Sequence, residues 1–217
     1  QDEAEGMISQ MEFVRRVDVQ TETIERYVRE GKLVPDLVVP MSEHRTFKYF
    51  KEETLEKYAA QYGWTLIDDS NRKELFLDMI RQMDMSYSYK PVLIQAILHH
   101  TDEKGRIQLA DIVTYFRAYY EGRRAAGLVV EKKNSIFAKG GYTDKEAERN
   151  ILANPFKRFE DMQMLRHTKT LGIVQVDESV WKKLTAGEKA EIEKICEEKL
   201  EKYYRHLAIS KGGKEKR

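Results

Sequence analysis

Histidine, cysteine and carboxylate residues are the first candidates for chemistry in this chain of 217 residues. Its five histidines show no ligand spacing with a cysteine or a carboxylate. The densest run is His99-His100-Thr101-Asp102, and its place at a predicted helix end accounts for it through the helix dipole. The one cysteine, Cys196, excludes an internal disulfide and lies in a predicted apolar stripe, which disfavours a nucleophilic role. These patterns predict no metal site and no cofactor.

Signatures of catalysis are equally sparse. Pro35-Asp36 followed by Glu43 and Lys48 is faintly nuclease-like, but the spacing from carboxylate to lysine is wrong. The chain has no phosphate loop of the form GxxxxGK[ST], and Lys139-Gly140-Gly141 is far from that pattern. The sequence therefore predicts a protein that is not an enzyme, with no catalytic residues.

Contact with DNA is the chemistry open to a set of side chains near the N-terminus. Arginine can bond guanine in a forked geometry or hold a phosphate, and threonine can touch a base edge. Phosphate contacts set the register and carry most of the salt dependence. The residues predicted to contact DNA are Thr21, Glu22, Thr23, Arg26, Tyr27, Arg29, Arg45 and Lys48.

Charge alone does not favour DNA as the partner. The net charge is +1, and nine Lys/Arg oppose ten Asp/Glu between Ser9 and Tyr62. Arginines and lysines on amphipathic helices are usually only solvated. A purely protein-binding or structural role for this segment stays open.

A second cluster of positive charge lies further along the chain. Between Gly122 and Arg158 nine Lys/Arg oppose four Asp/Glu. This excess could follow a phosphate backbone, and a solvated loop explains it equally well. The candidate residues of this second basic patch are Arg123, Arg124, Lys132, Lys133 and Lys139.

Two short helices and two strands are expected to position the first set. Ser9 and Glu12 form a capping box, a tight turn follows at Asp18-Val19, and a second helix runs from about Thr21 to Glu30. Strand-like stretches at residues 32–40 and 47–50 predict a two-stranded ribbon, and a further helix ends at Gly63.

Residues 19–35 resemble the recognition-helix stretch of MerR-like and excisionase-like proteins, and Phe47–Phe50 with the start of the next helix is similar to their wing. The resemblance implies a winged helix-turn-helix whose second helix enters the major groove while the wing straddles the backbone. Glu25 stands where many of these proteins carry arginine, and their metal-sensing cysteines are absent. Metal-responsive sensing is therefore not implied.

The rest of the chain is predicted to be mainly helical. Capping boxes at Thr143 and Thr185 start two helices, and Gly172–Val176 reads as a short strand within one small β-ribbon. Residues 85–93 and 154–160 are similar to an accessory region of bacterial DEAD/DEAH-type helicases, which implies a link to defence or restriction systems.

The predicted fold class is mainly α: a MerR-like winged helix-turn-helix at 7–63, a linker helix at 64–84 and a helical domain with a small β-ribbon at 85–210. The polar ends, residues 1–6 and 211–217, are left out as frayed.

The predicted function is binding of double-stranded DNA in the cytoplasm, as a bacterial transcriptional regulator or an accessory factor in DNA transactions. The alternative is a non-enzymatic adaptor of a mobile-element or phage-defence complex. A homodimer, or a protein partner bound through the C-terminal domain, stays open, and no membrane-spanning stretch is present.

Overall fold

The computed structural model describes residues 2–212, apart from the side chains of Asp2, Lys211 and Gly212. Of the ends predicted to be frayed, residue 1 and residues 213–217 lie outside the described residues, whereas Asp2–Ala4 forms a turn of 3-10 helix. The chain forms two compact units. The first holds the residues up to Asn71 together with Asp161–Gln163, and the second holds Arg72–Glu160 and the residues from Met164 onward.

Helices and short strands alternate in the first unit. In chain order they are β1 (Met7–Ser9), α1 (Gln10–Arg15), α2 (Thr21–Arg29), β2 (Leu37–Ser42), β3 (Arg45–Lys51) and α3 (Glu52–Tyr62). The strands form one antiparallel sheet in the order β1-β3-β2. Ile8 lies opposite Phe50, and Val38 lies opposite Lys48.

The core of the first unit takes side chains from several elements. Phe13, Ile24, Leu33, Phe50 and Leu55 are fully buried in one cluster. The Phe13 and Phe50 rings lie 4.8 Å apart between centroids. Because α2 is anchored through Ile24, its polar side remains exposed within this unit.

Local signals in the sequence set the ends of these helices. The Ser9 side chain accepts a hydrogen bond from Glu12 N at 3.1 Å, which confirms the predicted cap of α1. Helix α3 ends at Gly63 in the left-handed conformation, with φ of 70°. A side chain with a Cβ is strained there, so glycine is the residue that fits.

The second unit is richer in helices. In chain order its elements are α4 (Arg72–Arg81), α5 (Tyr89–His100), β4 (Arg106–Gln108), α6 (Leu109–Ala125), α7 (Ile136–Lys139), α8 (Asp144–Ala153), α9 (Phe156–Asp161), β5 (Leu165–Thr168), β6 (Ile173–Val176), α10 (Glu178–Trp181) and α11 (Ala186–Gly212). The last residue of α9, Asp161, belongs to the first unit. Helix α5 is buried along most of its length and packs against α6 and α11. The strands form an antiparallel sheet in the order β4-β6-β5.

The second unit confirms the predicted capping box at Thr185 and, of the box predicted at Thr143, the hydrogen bond to the N-cap side chain. Thr143 accepts from Glu146 N at 3.1 Å at the start of α8. At the start of α11, Thr185 accepts from Glu188 N at 3.1 Å, and Glu188 accepts in return from Thr185 N at 3.0 Å. Hydrogen-bonding these otherwise unpaired amides stabilises both helix starts.

The predicted architecture, a MerR-like winged helix-turn-helix followed by a helical domain with one small β-ribbon, is wrong. The chain folds into helices with two antiparallel sheets of three strands each. Strands β1 and β4 have three residues each, too short for an alternating pattern to reveal them.

The link between α1 and α2 is held by residues that are distant in the sequence. Helix α1 has only six residues. After it, Val17 forms a β-bridge with Leu66, and Asp18 N donates to Thr65 O at 3.2 Å. A segment some fifty positions away in the chain therefore holds this link, which local sequence patterns cannot show.

Candidate nucleic-acid interface

Helix α2 holds six of the eight residues that were predicted to contact DNA. Glu22, Arg26 and Arg29 are exposed, whereas Thr21, Thr23 and Tyr27 are half-buried. Arg26 and Arg29 are three positions apart, so they project from neighbouring turns of one face. The helix thus presents two guanidinium groups near its C-terminal end.

Tyr27 belongs to an aromatic group at the inner edge of α2. Its ring centroid lies 5.1 Å from that of Tyr62 and 5.7 Å from that of Trp64. The Tyr62 hydroxyl donates to Lys32 O at 2.8 Å, which ties α3 to the loop after α2. Tyr27 therefore supports the helix as well as forming part of its surface.

A cluster of charged side chains at the end of α2 includes one of the two arginines of that helix. Glu30 lies 2.8 Å from Lys32 Nζ and 4.0 Å from Arg26 Nε. The hydrogen bond from Lys32 lowers the pKa of the Glu30 carboxyl, and the same bond raises the pKa of Lys32. The Arg26 guanidinium lies 5.6 Å from the centre of the Tyr27 ring, so both Glu30 and Tyr27 orient its side chain.

At the start of α2, Thr21 makes a hydrogen bond within the first unit. Its hydroxyl donates to the Asp161 carboxylate at 3.1 Å. Glu22 and Glu25 are exposed near the same end. The N-terminal half of the helix therefore carries acidic groups and the C-terminal half carries basic ones.

The hairpin β2–β3 carries the other two predicted residues. Arg45 is exposed at the start of β3, next to the turn. Lys48 is half-buried, and its Nζ donates to Thr46 Oγ1 at 3.3 Å. Because side chains alternate along a strand, Arg45 and Lys48 lie on opposite faces of the hairpin.

The second basic patch divides into residues with different surroundings. Arg123 donates to Val129 O at 2.7 Å, and its guanidinium lies 3.4 Å from the centre of the Tyr204 ring. Arg124 donates to Phe137 O. Both arginines therefore hold the fold of the second unit.

The three lysines of that patch line two different cavities. Lys132 lines one of about 430 Å³, and Lys133 and Lys139 line another of about 360 Å³. The lysines of the possible second basic patch therefore do not all line one cavity.

A buried carboxylate that the sequence did not single out lies behind these residues. Glu131 is only 2% exposed. It accepts hydrogen bonds from Ser88 N at 2.9 Å, Lys132 N at 2.8 Å and the hydroxyls of Ser88 and Tyr203. Burial, followed by the bond to Glu131, raises the pKa of Tyr203 above its ordinary value. Four donors satisfy a charge that would otherwise be strongly unfavourable inside the protein.

Metal-binding and nucleophilic groups are scattered. Within residues 2–212, no group of three His, Cys, Asp or Glu side chains is placed to hold a metal ion. His99 Nε2 lies 2.9 Å from Glu193 Oε2, and Asp36 accepts from Lys51 N at 2.8 Å. Burial raises the pKa of the Cys196 thiol to about 12.

Comparison with protein-family models, with curated proteins and with solved structures finds no match to this chain. Among the helices that the structure describes, none is long and apolar enough to cross a membrane.

Sequence patterns missed two contacts at the ends of α2, for different reasons. Lys32 stands two positions after Glu30, and side chains at that spacing on a helix do not face each other, so their ion pair depends on the helix ending at Glu30. Asp161 lies 140 positions from Thr21, and no local pattern indicates that the two meet.

Proposed function

We propose that the first unit binds double-stranded DNA, with α2 in the major groove and the hairpin β2–β3 against the sugar-phosphate backbone. One observation carries this proposal: α2 is anchored through buried Ile24 and exposes Arg26 and Arg29 on one face. An α-helix with its side chains is about 10–12 Å wide, and the major groove is about 12 Å wide. The fit allows both arginines to approach base edges.

The mixture of charges favours a reader of sequence over a general DNA binder. Exposed Glu22 and Glu25 repel phosphates, and between Ser9 and Tyr62 the ten Asp/Glu residues offset the nine Lys/Arg residues. Sequence-independent binding is therefore weak. Glutamate can, however, accept from cytosine N4, while arginine bonds guanine. A protein of this kind acts as a regulator of transcription or as an accessory factor in DNA transactions.

The test begins with duplexes selected from a random pool and measures affinity by fluorescence anisotropy. A regulator binds its selected site about 1,000-fold or more tightly than random duplex. Arg26→Ala is expected to weaken specific binding by about 1–3 kcal/mol. Arg205→Ala is the matched control, because Arg205 is an exposed arginine of the second unit.

Equal binding of the selected and random duplexes, or an unchanged affinity of folded Arg26→Ala, contradicts the proposal. Circular dichroism of each variant confirms folding. The control variant has to bind as the unchanged protein does, since it removes the same charge elsewhere.

A non-enzymatic adaptor of a mobile-element or phage-defence complex is the second candidate. Met41 and Phe47 of the hairpin are 60% and 50% exposed, and such apolar groups suit a protein contact better than a phosphate backbone. An adaptor is expected to show weak binding without sequence preference, so the same titration separates the two functions. Either function fits the cytoplasm, where a buried free thiol such as Cys196 stays reduced.

A further inference from the structure

The second unit contains a cavity of about 430 Å³ that is lined by positive charge. Three turns of α11 supply Lys199, Lys202 and His206, and Lys132 lines it from another part of the unit. Positions 199, 202 and 206 are separated by three and four residues, which places them on one face of the helix. We call this the cationic cavity.

The described residues that line the cationic cavity include no Asp or Glu. The contacts of its lysines are to neutral groups: Lys132 Nζ donates to Ser86 O, and Lys199 Nζ donates to Met83 O at 3.4 Å. Each ammonium has three donor protons. Donors and positive charge therefore remain for a ligand.

Apolar side chains form another part of the lining. Met83, Met85 and Leu207 line the cavity beside the lysines. Volumes of about 300–1,000 Å³ with apolar walls and a few polar groups are typical of sites for small molecules. Methionine adapts its shape to a bound apolar body.

Contacts within the second unit fix the position of Tyr203 in the wall of the cationic cavity. Tyr203 lines the cavity, and its hydroxyl donates a hydrogen bond to buried Glu131. Lys132 Nζ lies 6.0 Å from the centre of the same ring, so the lysine and the ring are positioned together. A lining fixed in this way loses less conformational freedom when it binds.

We infer that the cationic cavity binds a small organic anion, with a phosphate or carboxylate among Lys132, Lys199 and Lys202 and an apolar body on Met83 and Met85. Its concave shape and apolar lining favour such a molecule over a nucleic-acid backbone.

The test uses 8-anilinonaphthalene-1-sulfonate, a fluorescent anion with an apolar body. The full chain is expected to bind one molecule in this cavity. Lys199→Gln with Lys202→Gln is expected to weaken binding at least about tenfold, since both charges are lost. Lys194→Gln, an exposed lysine of α11 outside the cavity, is the control and leaves binding unchanged. The uncharged analogue N-phenyl-1-naphthylamine is expected not to distinguish the variants.

Location and preference are tested with two further measurements. In protein labelled at its methionine methyl groups, the Met83 and Met85 signals are expected to shift on binding. Phenyl phosphate and benzoate then compete with the dye, and the better competitor identifies the preferred anionic group. Unchanged dye affinity in the double variant, unmoved Met83 and Met85 signals, or no displacement by either competitor overturns the inference.

Discussion

The Thr21 hydroxyl, at the first position of α2, donates a hydrogen bond to the Asp161 carboxylate at 3.1 Å. A carboxylate at a helix N-terminus is favoured by the helix dipole. The N-terminal residues of a recognition helix are also the ones that contact base edges. If α2 binds DNA as proposed, Thr21 reaches a base only after it releases Asp161, and the negative charge of Asp161 opposes phosphates at that end of the helix.

Removing this charge is expected to strengthen DNA binding. Asp161 is half-buried, and a charge interaction with DNA across solvent is worth about 0.2–1 kcal/mol, so Asp161→Asn should raise the affinity for a selected duplex by up to about fivefold. Anisotropy titrations of the two proteins measure the change. Asp111→Asn removes an exposed acid of α6 and is expected to have no effect. Unchanged affinity in Asp161→Asn would show that this end of α2 does not lie near the DNA.

The hydrogen bonds around Glu131 predict an order of destabilisation. Glu131→Ala leaves four donors without their acceptor and is expected to lower the free energy of unfolding by about 3–5 kcal/mol. Tyr203→Phe removes one bond to a charged group, worth about 1.5–3 kcal/mol. Urea denaturation followed by circular dichroism measures both changes.

Tyr87→Phe is the control for that series. The Tyr87 hydroxyl accepts from Asn134 Nδ2 at 2.7 Å at an exposed place, so its loss is expected to change the free energy of unfolding by less than about 1 kcal/mol. If Tyr203→Phe proves no more destabilising than Tyr87→Phe, the bond to buried Glu131 does not stabilise the fold.

Sequence patterns predicted the parts of this fold that neighbouring residues determine. The caps at Ser9, Thr143 and Thr185 each depend on residues three positions apart, and all three are present. Strand β1 has three residues and is defined by its pairing with β3, more than forty positions later. No local pattern contains that information.

The candidate site shows the same division. Exposed positions of Arg26 and Arg29 follow from the helical period of α2 around Ile24. The Arg123 guanidinium packs on the Tyr204 ring, and Glu131 is buried. Both features depend on elements that meet only in the folded chain. The count of charges between Gly122 and Arg158 included Arg123 and Glu131 without showing that both are engaged inside the second unit.

Cys196 is expected to be protected from thiol reagents in the folded protein. Burial, and then Glu193 and Glu197, raises its pKa from 9.0 to about 12, so the thiolate is scarce at pH 8. Reaction with 5,5′-dithiobis(2-nitrobenzoate) should follow global unfolding in urea. Labelling in native buffer at the rate of a free thiol would contradict this burial.

The same shift gives a dependence of stability on pH. Because the folded pKa is raised, the contribution of Cys196 is fully present below about pH 9 and is lost as the pH rises toward 12. The difference in free energy of unfolding between the unchanged protein and Cys196→Ala is expected to shrink over that range. Comparing the two proteins removes the common effect of tyrosines such as Tyr89 and Tyr142, whose pKa burial also raises to about 12.

The dependence of binding on salt and on sequence separates the roles of the helix and the hairpin in DNA binding. If Lys48 contacts a phosphate, Lys48→Ala should weaken binding to all sequences alike and reduce the slope of log affinity against log salt by about one. Arg26→Ala should instead reduce the preference for the selected site, because a base contact carries sequence information. Lys57→Ala, which removes an exposed lysine of α3, tests whether any lost charge has the same effect. An equal loss of slope in Lys48→Ala and Lys57→Ala would show that the hairpin makes no phosphate contact of its own, since general attraction would then account for the dependence on salt.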